Sequence, residues 1–122
     1  MDIETLRDYC LSLPLVTEDF PFNQTTLVFR VLGNIFAVID LNRNDLVTLK
    51  CAPDYALILR EEHPEVMPAW HWNKKYWNQL LLTGLLDNTL ILSLVRHSYA
   101  EVAKKLKKSE RLAYPDIMTI KP

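Results

Sequence analysis

Nine consecutive residues, AWHWNKKYW at positions 69–77, hold all three tryptophans of the chain, one of its three histidines, an asparagine and two adjacent lysines. These side chains suit binding. Ammonium groups neutralise phosphates and release their counterions. Exposed indoles offer a flat face on which bases stack, at about 1–3 kcal/mol per base. In an extended chain, alternation sets Trp70 and Trp72 on one side and His71 on the other. Asn73, Lys74 and Lys75 then form a solvated polar turn, and Trp77 points into the core from the next strand. At least two of the three indoles are expected to serve mainly as packing.

Side chains for covalent or acid–base catalysis show no such concentration. His63, His71 and His97 are scattered, and Cys51 meets His71 only if the fold brings them together. The sequence has no Gly-x-Ser-x-Gly, no His-Glu-x-x-His and, with only two glycines, no phosphate-cradling glycine loop. Cys10 and Cys51 form no Cys-x-x-Cys, and a structural zinc site needs about four clustered ligands. They read as reduced, packed thiols. Asp2, Glu4, Asp8, Glu18 and Asp19 read as a solvated surface rather than a cation site. No enzymatic activity, metal or cofactor is expected.

The elements that must position these residues follow from spacing. Asp2 caps a first helix carrying Ile3, Leu6, Cys10 and Leu13, which Pro14 ends. A loop follows, with Phe20 and Phe22 flanking Pro21 as plugs for the core edge. TLVFRVL and IFAVIDL are two strands joined by a Gly33-Asn34 hairpin turn. DLVTLKC is a third, after the polar turn NRND at 42–45. Leu27, Phe29 and Val31 share one face with Val47, Leu49 and Cys51 as their counterparts; Arg30 and Lys50 lie on the opposite, wetter side. Pro53 opens a second helix with Ala56, Leu57 and Leu59 or Arg60 in register, and Pro64 stops it. Extended segments surround the lysine turn, with a strand over 76–82 broken at Gly84. Asp87 or Asn88 caps a last helix, whose stripe of Leu90, Ile91, Leu94, Val95, Ser98, Val102 and Leu106 lies on the sheet. Lys104, Lys105, Lys107 and Lys108 follow at its C-terminal end, where cations suit the helix dipole. Residues 1–108 are expected to form one domain and 109–122 a loosely ordered tail. The order argues α+β, an antiparallel sheet with helices on one face.

At 122 residues the chain has room for one core; 49% of residues are hydrophobic and 24% charged, a globular balance. No apolar run approaches the roughly 20 residues of a bilayer span, so no membrane segment is expected. The acidic, amphipathic start lacks the pattern of a secretory signal, which makes cytoplasm the expectation. A net charge of −1 is unusual for a dedicated nucleic-acid binder and limits it to a local basic patch.

The blocks PFNQTTLVFRVLGNIFA, KCAPDYALILREEHPEVMPA, HWNKKYW and VRHSY, in that order, resemble the MmcQ/YjbR family of small bacterial proteins over residues 6–106. His71, Asn73, Lys74, Lys75 and Trp77 match its pattern around the lysine turn. Trp70 and Trp72 stand where Tyr and Met or Leu are usual, and Tyr76 where His is frequent. The resemblance implies a CyaY-like (frataxin-like) two-layer sandwich. Members are commonly described as DNA-binding by analogy with a double-wing motif, and the family lends no catalytic residues. Together with the residues, this implies a binding module whose open sheet face takes DNA with low sequence specificity, through Arg30, Lys50, Trp70, His71, Trp72, Asn73, Lys74 and Lys75. Two other readings stand beside it: a protein-interaction or homo-oligomeric assembly module using the same aromatics, and a frataxin-like metal-binding protein.

Overall fold

The fold is described from a computed structural model over residues 1–43 and 45–121. Asn44, in the expected NRND turn, and Pro122, in the expected tail, lie outside the described residues. Asp2 accepts the Thr5 N–H at 2.7 Å and starts α1, Ile3–Ser12, which buries Leu6 and Cys10. The six strands are β1 (Val16–Asp19), β2 (Thr26–Val31), β3 (Asn34–Asp40), β4 (Leu46–Lys50), β5 (Val66–Pro68) and β6 (Trp77–Leu81). They form one antiparallel sheet in the order β1-β2-β3-β4-β6-β5. Pro53 opens α2, Pro53–Glu62, and Asp87 caps α3, Asn88–Ala103, by accepting from Thr89 N–H.

The core lies between the sheet and its helices. Leu27, Phe29, Val31, Ile39, Val47, Leu49 and Leu80 meet Ile91, Leu94, Val95, Tyr99 and Val102 of α3. Period-two and period-3.6 patterns thus converge on one apolar layer. The opposite face of the sheet carries Val38, Asp40, Leu46, Thr48 and Gln79 and has loops around it rather than helices.

Several expectations need correction. The loop after α1 contains β1, whose pairing with β2 widens the sheet beyond the expected strands. Phe20 and Phe22 do not plug the core: they are 48% and 61% exposed, because the chain leaves the sheet edge after Asp19 and brings Phe22 round to the open face, against Trp72. The β2–β3 turn is Leu32-Gly33, one residue earlier than expected, with φ of 45° and 84°. A two-residue turn of this hand requires positive φ at both positions. Asn34 instead begins β3 and donates its side-chain amide to the Leu32 carbonyl at 3.0 Å. Leu57 of α2 is 56% exposed, and Ala56 and Leu59 make the buried stripe. Residues 70–72 are turn and bend, and Ala69 before them is not strand either. The tail forms α4, Lys108–Ala113, and a short 3-10 helix, Pro115–Thr119. Ile117 is 1% exposed within the core, so apolar burial ties this segment down.

Candidate functional site

A groove of about 770 Å³ runs over the open face of the sheet. Its floor is Val38, Thr48 and Gln79; its walls are the loop with Phe22 and Asn23, the turn with Asn42 and Arg43, and the Trp70–His71–Trp72 turn. Local chemistry makes these walls firm. The Asn23 side chain accepts from the N–H groups of Thr25 and Thr26 at 2.9 and 2.7 Å. The tryptophan turn closes through Trp72 N–H to Ala69 O at 3.3 Å and Ala69 N–H to Trp77 O at 3.1 Å. Asn73 Oδ1 accepts the Lys75 N–H at 3.0 Å.

The indoles take three different environments. Trp70 is 63% exposed, with Lys74 Nζ 4.5 Å from its ring centroid. Trp72 is half-buried between Phe22, edge-on at 6.3 Å, and Trp77 at 4.9 Å. Trp77 does not enter the core. It faces outward opposite Lys50, because Asn78 and Leu80 take the inward positions of β6. Of the described residues lining the groove, Asp40 and Arg43 are the only ones of the Asp, Glu, Lys and Arg types, and Arg43 is paired with Asp45 at 3.2 Å. The groove is therefore aromatic and polar, with its cations on the rim.

Trp70, His71 and Trp72 share this groove, and Asn73, Lys74 and Lys75 stand in the adjoining turn. Lys75 Nζ lies 5.5 Å from the Tyr76 ring, which Lys105 also faces at 5.4 Å. Arg30 and Lys50 are elsewhere. Both line a second cleft beyond Trp77. The Arg30 guanidinium is held by Asp19 at 2.8 Å and the Gly33 carbonyl at 3.0 Å. The expected basic face is thus divided, with the packed Trp72–Trp77 pair between its two parts.

Two residues that position the site were not anticipated. Asn78 is 2% exposed on the core side of β6. It accepts from Arg60 Nε at 2.7 Å, and Arg60 also donates to the carbonyl of Lys74. Arg60 thereby ties α2 to the lysine turn and satisfies a buried amide. The signal in sequence was an asparagine at an inward position of WNQLL.

Cys51 and His71 lie in different cavities. His71 opens on the groove, whereas Cys51 shares a cavity of only about 10 Å³ with His97. Burial pushes the Cys51 and Cys10 thiols up to about 12. His97 Nε2 accepts the Ala52 N–H at 3.1 Å, and burial holds its pKa below the usual histidine value. Of the N-terminal acidic residues, Asp2 caps α1, Glu18 pairs with Arg7 and Asp19 with Arg30. Among the described residues no three His, Cys, Asp or Glu side chains gather as a metal site, and no helix is long and apolar enough to cross a membrane.

Comparison with known proteins places this geometry among relatives. The YjbR family model matches residues 11–101. The uncharacterized protein YjbR of Escherichia coli K12 is 30% identical over 112 residues, 91% of this chain and 95% of that one. The uncharacterized protein YbdF of Escherichia coli O157:H7 is 28% identical over 88% of this chain and 89% of its own. The crystal structure of Deinococcus radiodurans protein DR2400, with a DUF419 domain, superposes with a TM-score of 0.86 at 36% identity, over 93% of this chain and 87% of that one. A Pseudomonas syringae protein structure gives 0.69 at 27% identity, over 80% and 96%.

Proposed function

The chain belongs to the YjbR family, by a match that runs through all six strands, and from this premise we propose that it is a non-enzymatic binding module whose open sheet face takes single-stranded nucleic acid. The observation that carries the reading is Trp70, 63% exposed beside the groove with an ammonium 4.5 Å from its ring. A largely exposed indole with a cation over its ring brings a stacking surface and a phosphate-neutralising charge together. An unpaired strand suits the groove better than a duplex, whose bases hide their ring faces. The near-neutral groove and a net charge of −1 make affinity modest and sequence preference low. The protonated, buried thiols support a binding rather than a catalytic role.

Fluorescence anisotropy with a labelled oligothymidine over a salt series tests this. Saturable binding at low salt is expected. Lys74→Ala with Lys75→Ala should reduce the salt slope by about 1.4, at roughly 0.7 per neutralised phosphate on a single strand. Trp70→Ala should weaken binding by about 1–3 kcal/mol with the thermal midpoint unchanged. Absence of binding at low salt overturns the proposal. If light scattering then shows mass rising with concentration, and Trp72→Ala abolishes the rise without unfolding, the same rim is a self-association surface.

A further inference from the structure

The β3–β4 ladder stops at the pair Ala37 and Leu49. The Ser98 hydroxyl of α3 takes the next place, donating to the Phe36 carbonyl and accepting the Lys50 N–H at 2.9 Å. Phe36 is also the extra residue of a bulge, since Phe29 faces Ala37 while Arg30 faces Ile35. Past this point the strands part. β4 continues beside β6, with Lys50 opposite Trp77, while β3 turns back with β2 toward the hairpin tip at Leu32-Gly33.

A cleft of about 430 Å³ opens between them, lined chiefly by Arg30, Asn34, Ile35, Lys50, Trp77 and Lys105. Three of these are cations, from β2, from β4 and from the turn after α3; among the described residues no carboxylate lines the cleft, although Asp19 outside it pairs with Arg30. Glu101, the nearest acid on α3, is paired with Lys104 at 2.6 Å. Among the described residues neither Lys50 nor Lys105 has a carboxylate at ion-pairing distance. Burial, and then the neighbouring Lys105, depress the Lys50 pKa. Like charges held together and partly out of water favour a counter-ion between them.

We propose that this cleft is an oxyanion site for a phosphate group, bound by Lys50 and Lys105 with Arg30 at its margin. A phosphate monoester matches it better than a carboxylate, because its three terminal oxygens and nearly double charge can use both lysines at once, with Arg30 already paired to Asp19 at the margin. The Trp77 ring beside the cleft offers a flat wall for a base, so the phosphate arrives either free or carried on a nucleoside. The site stands apart from the single-strand reading of the groove and does not rest on it.

The test is an amide and indole NMR titration at constant ionic strength, with inorganic phosphate, adenosine 5′-monophosphate and adenosine as probes and chloride as the control. Saturable movement of Gly33, Asn34, Lys50 and the Trp77 indole is expected with phosphate and with the monophosphate. The double variant Lys50→Gln, Lys105→Gln should weaken both by about tenfold or more, through loss of charge-assisted hydrogen bonds. Lys105→Gln alone, at an exposed position, serves as a folded reference and should weaken binding by a smaller factor. Tighter binding of the monophosphate than of phosphate assigns a nucleotide, and equal binding assigns the free oxyanion. Absence of saturable movement at these residues, or unchanged affinity in the double variant, overturns the site. Either result leaves the oligothymidine experiment at the groove to be judged separately.

Discussion

The Ser98 hydroxyl joins two strands that no longer touch each other, through the Phe36 carbonyl and the Lys50 amide. It is 0% exposed. Removing it strands one buried backbone donor and one acceptor at once. Ser98→Ala is therefore expected to destabilise the fold by about 1–3 kcal/mol, read as a lower urea midpoint with an unchanged slope. The same logic accounts for Asn78, whose inward amide is satisfied by Arg60, and for Tyr99, whose buried hydroxyl donates to the Pro14 carbonyl at 2.6 Å. Each polar group sits where regular pairing of the backbone or apolar filling of the core is interrupted. None of them contacts the groove, yet Asn78 and Arg60 hold the turn that carries Trp70 and Lys74.

Among the elements, the C-terminal pair α4 and the 3-10 helix is held to the core through Ile117. α4 buries nothing of its own and is short, so it has little reason to persist alone. Ile117 supplies the reason, as a fully buried side chain delivered to the core by the following turn. Ile117→Ala should cost about 2–5 kcal/mol in chemical unfolding. Leu112→Ala, at a position 71% exposed on α4, should change little. Equal effects of the two would show that the segment is not anchored through Ile117. At the other end of the chain, β1 is held by main-chain pairing to β2 and by Arg7–Glu18 and Arg30–Asp19 across its surface. Its two-residue alternation is too short to stand out from a loop in sequence, and only the available edge of β2 makes it a strand.

For the whole molecule, titration should weaken the fold in two separate steps on acidification. The folded pKa of His97 lies below the ordinary 6.5, first because burial disfavours its charged form. The unfolded chain therefore takes up that proton more readily, so the stability His97 contributes is present above 6.5 and is lost as pH falls through its folded value. Glu18 and Asp45, lowered first by hydrogen bonds from Arg7 and Arg43, contribute only above their ordinary values of 4.5 and 3.8 and lose that contribution at lower pH. Urea midpoints measured from pH 7 downward should fall first below about 6.5 and again below about 4.5. His97→Gln should remove the first step and leave the second. A single step common to both proteins would show that His97 does not govern the upper window.

By itself the sequence determined the helices over Leu6 and Cys10, over Ala56 and Leu59 and over Ile91 to Val102, the central strands, and which side of β2 and β4 meets the core. It also determined the family, through the order of its blocks. These are local properties: period, cap and breaker residues act within a few positions of themselves. Only the tertiary structure decided that Trp77 faces out and Asn78 in, that Phe22 leaves the core for Trp72, and that Arg30 and Lys50 open on a different cleft from Trp70 and His71. Alternation assigns a side chain to a face of its own strand but says nothing about what arrives from elsewhere to cover it. The register shift at Phe36 and the Ser98 bridge depend on α3, some sixty residues away in the chain. That long-range packing, and not any local pattern, parted the strands and divided the basic residues between two sites.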